Sequence, residues 1–160
     1  MTLNARQILQ DGHQTVLQTI DGLAGQAWHT PNVCGEWSSK DILAHLTSFE
    51  EVLVEVLSSV HDPSQPTPLL DRLRADKSFN DSEVSARRDK SVEQVLANYE
   101  AAHRQVMASA EKLPDETFRE PGTLPWYGAQ YALDDFIVYM FYGHKREHTA
   151  QIKLFRNRSA

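Results

Sequence analysis

The strongest constraint on this chain is a helical apolar stripe between Ser38 and Val60. Ile42, Leu46, Phe49, Leu53 and Val56 recur at spacings of three and four residues, the period that lines one face of an α-helix. Lys40, Ser48, Glu51, Glu55 and Ser58 fall mostly outside the stripe, which predicts a solvated opposite face. Ser38 stands three residues before Asp41, so the serine oxygen and the carboxylate can each take an orphan backbone N–H in a capping box, and the helix should start there. Pro63, Pro66 and Pro68 then stop it. A helix with one apolar face must bury it, so further amphipathic helices are required.

Three candidates supply them. Leu3 to Leu23 carries Ile8, Leu9, Val16, Leu17, Ile20 and Leu23 on one side, with Gly22 and Gly25 as stop signals. Ser91 and Gln94 form a second capping box ahead of Val92, Val95, Leu96, Tyr99, Val106 and Met107, and Pro114 breaks that helix after Leu113. The last helix should begin near Leu133-Asp134-Asp135, where acidic residues suit the positive end of the helix dipole. It should run through Ile137, Met140, Phe141, Ile152 and Phe155 towards Lys153, Arg156 and Arg158. Residues 61–90 are Pro-rich and then polar, with Asp71–Arg74 and Glu83–Arg88 as short helical pieces; residues 114–132 are broken by Pro and Gly. Neither sustained strand alternation nor an internal repeat appears. The expected architecture is all-α: one domain over residues 1–160, a helical bundle with long crossover loops.

With 16 Lys+Arg against 22 Asp+Glu the formal charge is −6. That sign repels phosphate backbones and anionic lipid, which argues against nucleic-acid and membrane partners and for a small molecule. Met1–Gln7 lacks a basic region followed by an apolar core, so no secretory signal peptide is expected. The apolar run Phe136–Tyr142 is far shorter than the roughly 20 residues a membrane span needs. Cys34 is the single cysteine, so no intramolecular disulfide is possible and a cytoplasmic, soluble protein is the simple expectation.

Histidine is the residue type in surplus, with seven in the chain. His45 lies three residues after Ile42 and four before Phe49, inside the stripe. His144 and His148 share the three-and-four spacing of Ile137, Phe141 and Ile152, one turn apart on the inward face of the last helix. Two imidazoles from one helix and one from a facing helix can surround a divalent ion at about 2.0–2.1 Å and leave a position open. His13, between Leu9 and Val16, and His103, near Tyr99 and Val106, also approach apolar stripes and are candidate pocket residues. Tyr142 is a candidate aromatic wall, as are Trp126, Tyr127, Tyr131 and Tyr139; His29 and His61 lie in loops.

Two segments carry a family resemblance. Gly35-Glu36-Trp37-Ser38-Ser39-Lys40-Asp41-Ile42-Leu43-Ala44-His45-Leu46 resembles the W-S-x-x-D-[ILV]-x-x-H-[IL] signature of the DinB-like superfamily. Gly143-His144-Lys145-Arg146-Glu147-His148-Thr149-Ala150-Gln151-Ile152 resembles its closing H-x-x-x-H-x-x-Q-[IL] motif, about 100 residues downstream as in that family. The resemblance covers nearly the whole chain. It implies an up-down-down-up four-helix bundle with a metal site on His45, His144 and His148, and a homodimer. Zinc or nickel is the implied ion, with iron or manganese also open. Relatives that use thiol cofactors such as mycothiol or bacillithiol, as S-transferases or isomerases, imply an enzyme that activates a low-molecular-weight thiol or water against a small electrophile by transfer or hydrolysis. The competing expectation is a resistance-type protein that sequesters a small molecule without turnover.

Neither reading requires a side-chain nucleophile. Cys34 has no local cation to lower its pKa and reads as inert. His144–His148 also matches H-x-x-E-H literally, but that peptidase pattern needs a distant glutamate as third ligand. Glu147 is turned about 100° round the helix from His148, away from the site. Arg72, Arg74, Arg87, Arg88, Lys145 and Arg146 read as a solvated basic scatter.

Overall fold

Side-chain caps decide where the long helices begin. Asn4 accepts from the Gln7 N–H at 3.0 Å. Ser38 and Asp41 form the reciprocal pair expected, with both contacts at 3.1 Å, and Ser91 and Gln94 repeat it at 2.8 and 3.1 Å. In the computed structural model, which describes residues 4–159, these caps open α1 (Ala5–Ile20), α2 (Ser39–His61) and α5 (Val92–Glu111). Between α2 and α5 lie two short helices, α3 (Pro68–Ala75) and α4 (Phe79–Ser85). One 3₁₀ turn (Gly25–Trp28) follows α1 and another (Asp115–Arg119) follows α5. The chain closes with α6 (Leu133–Ile137), a π-helical segment (Val138–Gly143) and α7 (His144–Ser159). Leu3, expected to start the first helix, and Met1–Leu3 of the supposed leaderless N-terminus lie outside the described residues.

The protein is all-helical: among the described residues no strand forms, and the isolated bridge between Cys34 and Trp37 closes a turn. Among the described residues no helix is long and apolar enough to cross a membrane. Contacts along the helices give their relative directions. His45 meets His144 while Phe49 meets Phe141, so α2 and α7 run antiparallel. Gly12 lies against Phe141 and Lys145, while Thr19 accepts from Arg156 at 2.6 Å, so α1 and α7 run parallel. One apolar cluster holds Phe49, Val52, Leu53, Val56, Val106, Ile137 and Phe141; a second holds Val16, Ile42, Leu43, Leu46, Val95, Tyr99 and Ile152.

Four expectations change. α2 is buried on most of its sides, Ser48 included, because α5, α4, α3 and α7 all pack on it; Ser48 satisfies its hydroxyl by donating to the His45 carbonyl at 2.6 Å. The last helix is not continuous α-helix, since a π-helical segment interrupts it. The Glu83–Arg88 piece forms earlier, at Phe79–Ser85, where Phe79 and Val84 are the apolar residues available for burial. His61 ends α2 rather than lying in a loop. Replacing Ser38 with Ala strands the partly buried Asp41 N–H, so unfolding free energy should fall by about 1 kcal/mol, measured by urea titration at pH 7.5.

Candidate metal centre

His45 is placed by the second turn of α2, His144 by the first residue after the π-helical segment, and His148 by the next turn of α7. In the π segment the His144 N–H bonds the Tyr139 carbonyl, five residues back instead of four. Such single π turns shift helix phase and frequently sit at functional sites. Here the shift sets the direction of His144 relative to the apolar residues that precede it.

The three rings converge. His144 Nε2 lies 3.0 Å from His45 Nε2 and 2.9 Å from His148 Nε2, and one ligand atom from each of the three residues falls within 4.8 Å of the others. A neutral imidazole nitrogen has a single in-plane position, occupied by a proton or a lone pair. His144 Nε2 cannot serve two neighbours well with it. A cation that accepts three lone pairs resolves the conflict, and tetrahedral bonds of about 2.0–2.1 Å put ligand nitrogens about 3.3 Å apart, a few tenths of an ångström from the spacing found. The donor set therefore fits a divalent ion.

The surroundings favour neutral rings. His45 is 2 % exposed and His148 7 %, while His144 is only partly buried and is the member nearest solvent. Burial, with His144 and His148 close by, pushes His45 down to about 2. His144 falls to about 4 through burial and the neighbouring His148, opposed in part by the Met140 carbonyl that the π bond bypasses. His148 is lowered by burial against the pull of Gln151 and Glu147. Gln151 Oε1 accepts from His148 Nδ1 at 2.8 Å, which fixes the tautomer and leaves the Nε2 lone pair free for an ion. Glu147 is exposed, as its offset on the helix predicts.

Aromatic rings wall the triad. Trp37 lies 4.8 Å from the His45 ring, and Phe49 lies 4.8 Å from His45 and 4.7 Å from His144. Trp37 is delivered by a tight turn in which it exchanges backbone bonds with Cys34, and Gly35 in that turn has φ +56°, a conformation that costs a residue with a Cβ. Trp37 also borders an open cavity of about 420 Å³ with Cys34, Glu36, Asp81 and Arg88.

His45, His144 and His148 are thus brought together as expected. His13 and His103 are brought together elsewhere: their rings stack at 3.7 Å, and His103 Nδ1 lies 3.3 Å from Glu50 Oε2. Tyr142 packs beside Gly12 on α1 with the Arg146 guanidinium over its ring. Lys145 is no surface cation. It is 1 % exposed and pairs with the fully buried Glu50 at 2.5 Å, because its inward position on α7 meets a carboxylate on α2. Burial would raise Glu50, but Lys145 and His103 outweigh it and hold the carboxylate below its usual range. Arg87 is likewise engaged, by Glu51 and Glu83, whereas Arg88 is exposed at the cavity edge. Gln151 and Phe49 were legible as motif and stripe residues without their roles at the site; Glu50 gave no signal.

The sequence pattern of the DinB superfamily matches residues 8–152. The chain belongs to that superfamily. Comparison with proteins of curated function and with solved structures gave no match.

Two outcomes follow for the ion-free protein and for the site. Folded His45 and His144 resist protonation while their unfolded forms take protons near pH 6.5, so stability is fully present above that pH and declines as pH falls towards about 4. The slope should approach about 1.4 kcal/mol per pH unit for each such histidine, read from urea unfolding at pH 7.5, 6 and 5, and His45→Leu should flatten it. Gln151→Leu should weaken divalent-ion binding by about 10–100-fold with the fold intact, measured by competition with a chromophoric chelator.

Proposed function

We propose that this DinB-superfamily protein is a metal-dependent enzyme in which His45, His144 and His148 hold one divalent ion, zinc or nickel before iron or manganese, for chemistry on a small electrophile. One observation carries the reading: three Nε2 atoms from two helices meet around one point. The directions of α1, α2 and α7 support an up-down-down-up four-helix bundle as the frame, with the triad in its interior. When bound, the ion supplies Lewis acidity that lowers the pKa of a thiol or water at neutral pH.

The chain's own groups would orient and shield. Gln151 keeps the proton on His148 Nδ1, so that ring donates its Nε2 lone pair. Trp37 and Phe49 exclude water from the His45 side, which strengthens electrostatic interactions within the site. Substrate would approach from the His144 side, the triad member nearest solvent; the open cavity beside Trp37 is a neighbouring recess that none of the three histidines lines. His13, His103 and Tyr142 are assigned the supporting role of shaping the interior around Lys145. With a low-molecular-weight thiol such as bacillithiol or mycothiol as co-substrate, a sulfur–carbon bond forms, the leaving group departs from that carbon, and the thiol proton passes to solvent.

Protein made without a polyhistidine tag and reconstituted with zinc, nickel, manganese or iron should hold about one equivalent of one of them by elemental analysis, and His144→Ala less than a tenth. Monochlorobimane conjugation with a panel of small thiols should proceed faster with the wild type than with His148→Ala. Tight binding of the electrophile without turnover by any thiol or by water would replace the enzyme reading with sequestration.

A further inference from the structure

A second polar assembly is buried in the same interior, and the metal reading makes no use of it. The Glu50 carboxylate is fully buried and engaged at both oxygens, by Lys145 Nζ at 2.5 Å and His103 Nδ1 at 3.3 Å. His103 stacks on His13 with ring planes 6° apart. The Glu50 carboxylate on α2 thus joins α5 and α7 directly, and the His13 ring brings in α1 through its stack on His103. Gly12 helps admit Lys145: a Cβ there would stand 3.4 Å from the lysine Cδ and 3.3 Å from the Phe141 carbonyl.

Stability is a poor reason for such a pair, because an apolar pair of similar volume is often as stable or more so. Position is a better one. Lys145 directly follows His144, and Glu50 directly follows Phe49, whose ring touches both His45 and His144. α2 and α7, which carry all three histidines, touch each other far less than either touches its main partner. We propose that Glu50 and Lys145 are positioning residues for the metal centre: their ion pair, anchored to α5 through His103, sets the spacing and rotation of α7 against α2 and so fixes where His144 stands relative to His45.

The inference rests on the metal reading, and the test separates the two. Wild-type protein and the Glu50→Leu/Lys145→Met double variant are compared for thermal midpoint, for cobalt(II) affinity by competition, and for the visible absorption of bound cobalt, which reports ligand geometry. The double variant should keep a melting temperature within a few degrees of wild type, bind cobalt at least tenfold more weakly and show altered bands. A folded double variant with wild-type affinity and spectrum overturns the clamp; wild-type protein that takes up no cobalt overturns the metal reading instead. If the double variant does not fold, hydrogen exchange on the wild type decides. Zinc loading should then slow exchange around Glu50 and around His103 on α5, which holds no proposed ligand, and protection confined to the turns of the three histidines overturns the proposal.

Discussion

Everything else in this molecule is arranged around one interaction: two ring nitrogens, on His45 and His148, compete for the single in-plane position of a third, on His144. The contact demands that α2 and α7 approach closely enough for imidazoles to bridge them. It also demands a dry interior, since exposed rings would simply hydrate. Trp37 and Phe49 provide that interior on the His45 side. The cost appears in the lowered affinities of the rings for protons, which follow from burial first and from each other second. A group of bases kept together and kept unprotonated is the electrostatic complement of a cation.

The backbone makes a matching concession at the π-helical segment. Along a regular helix from Leu133 the inward face would be set by Phe136, Ile137 and Phe141, and His144 would inherit its direction from them. Val138–Gly143 inserts a wider turn, so the packing of Phe141 and the aim of His144 are adjusted separately. The Met140 carbonyl, passed over by the backbone bond, acts on the His144 ring and restores part of what burial takes away. A distortion in the ladder and a tuned ligand are two views of one local choice.

Which of these features could be read from the sequence depends on their range. Ser38 and Asp41, or Ser91 and Gln94, act within one turn, so their spacing alone announces a helix start. His45, His144 and His148 stood out because polar rings at apolar positions break a periodic pattern, and the family motifs named the same three. The π segment left no trace, since a single wide turn in an apolar run barely disturbs the three-and-four spacing. Glu50 and Lys145 were hidden for a different reason. Each is a charged residue beside other charged or polar residues, which ordinarily marks a solvated face, and only tertiary packing shows that each faces the other. Ser48 misled in the same way, its hydroxyl being satisfied by its own helix.

The buried pair bears on how the site forms. In small metal-dependent modules the ion organises the fold, because no core exists without it. Here two apolar clusters and capped helices already define the interior, so an ion would add linkage stabilisation to an existing core rather than create one. Under those conditions ligand geometry cannot be left to the metal. It must be set by contacts that survive its absence, and apolar packing is a weak way to set it, because side chains such as Leu and Phe tolerate small slides of one helix over another. A carboxylate held at both oxygens, by an ammonium group from one helix and an imidazole from another, tolerates far less. The Glu50 assembly therefore does for the direction of α7 what the capping boxes do for the starts of α2 and α5: it converts an approximate hydrophobic arrangement into a determined one, at the point along the helices where a few tenths of an ångström decide whether three nitrogens share one ion.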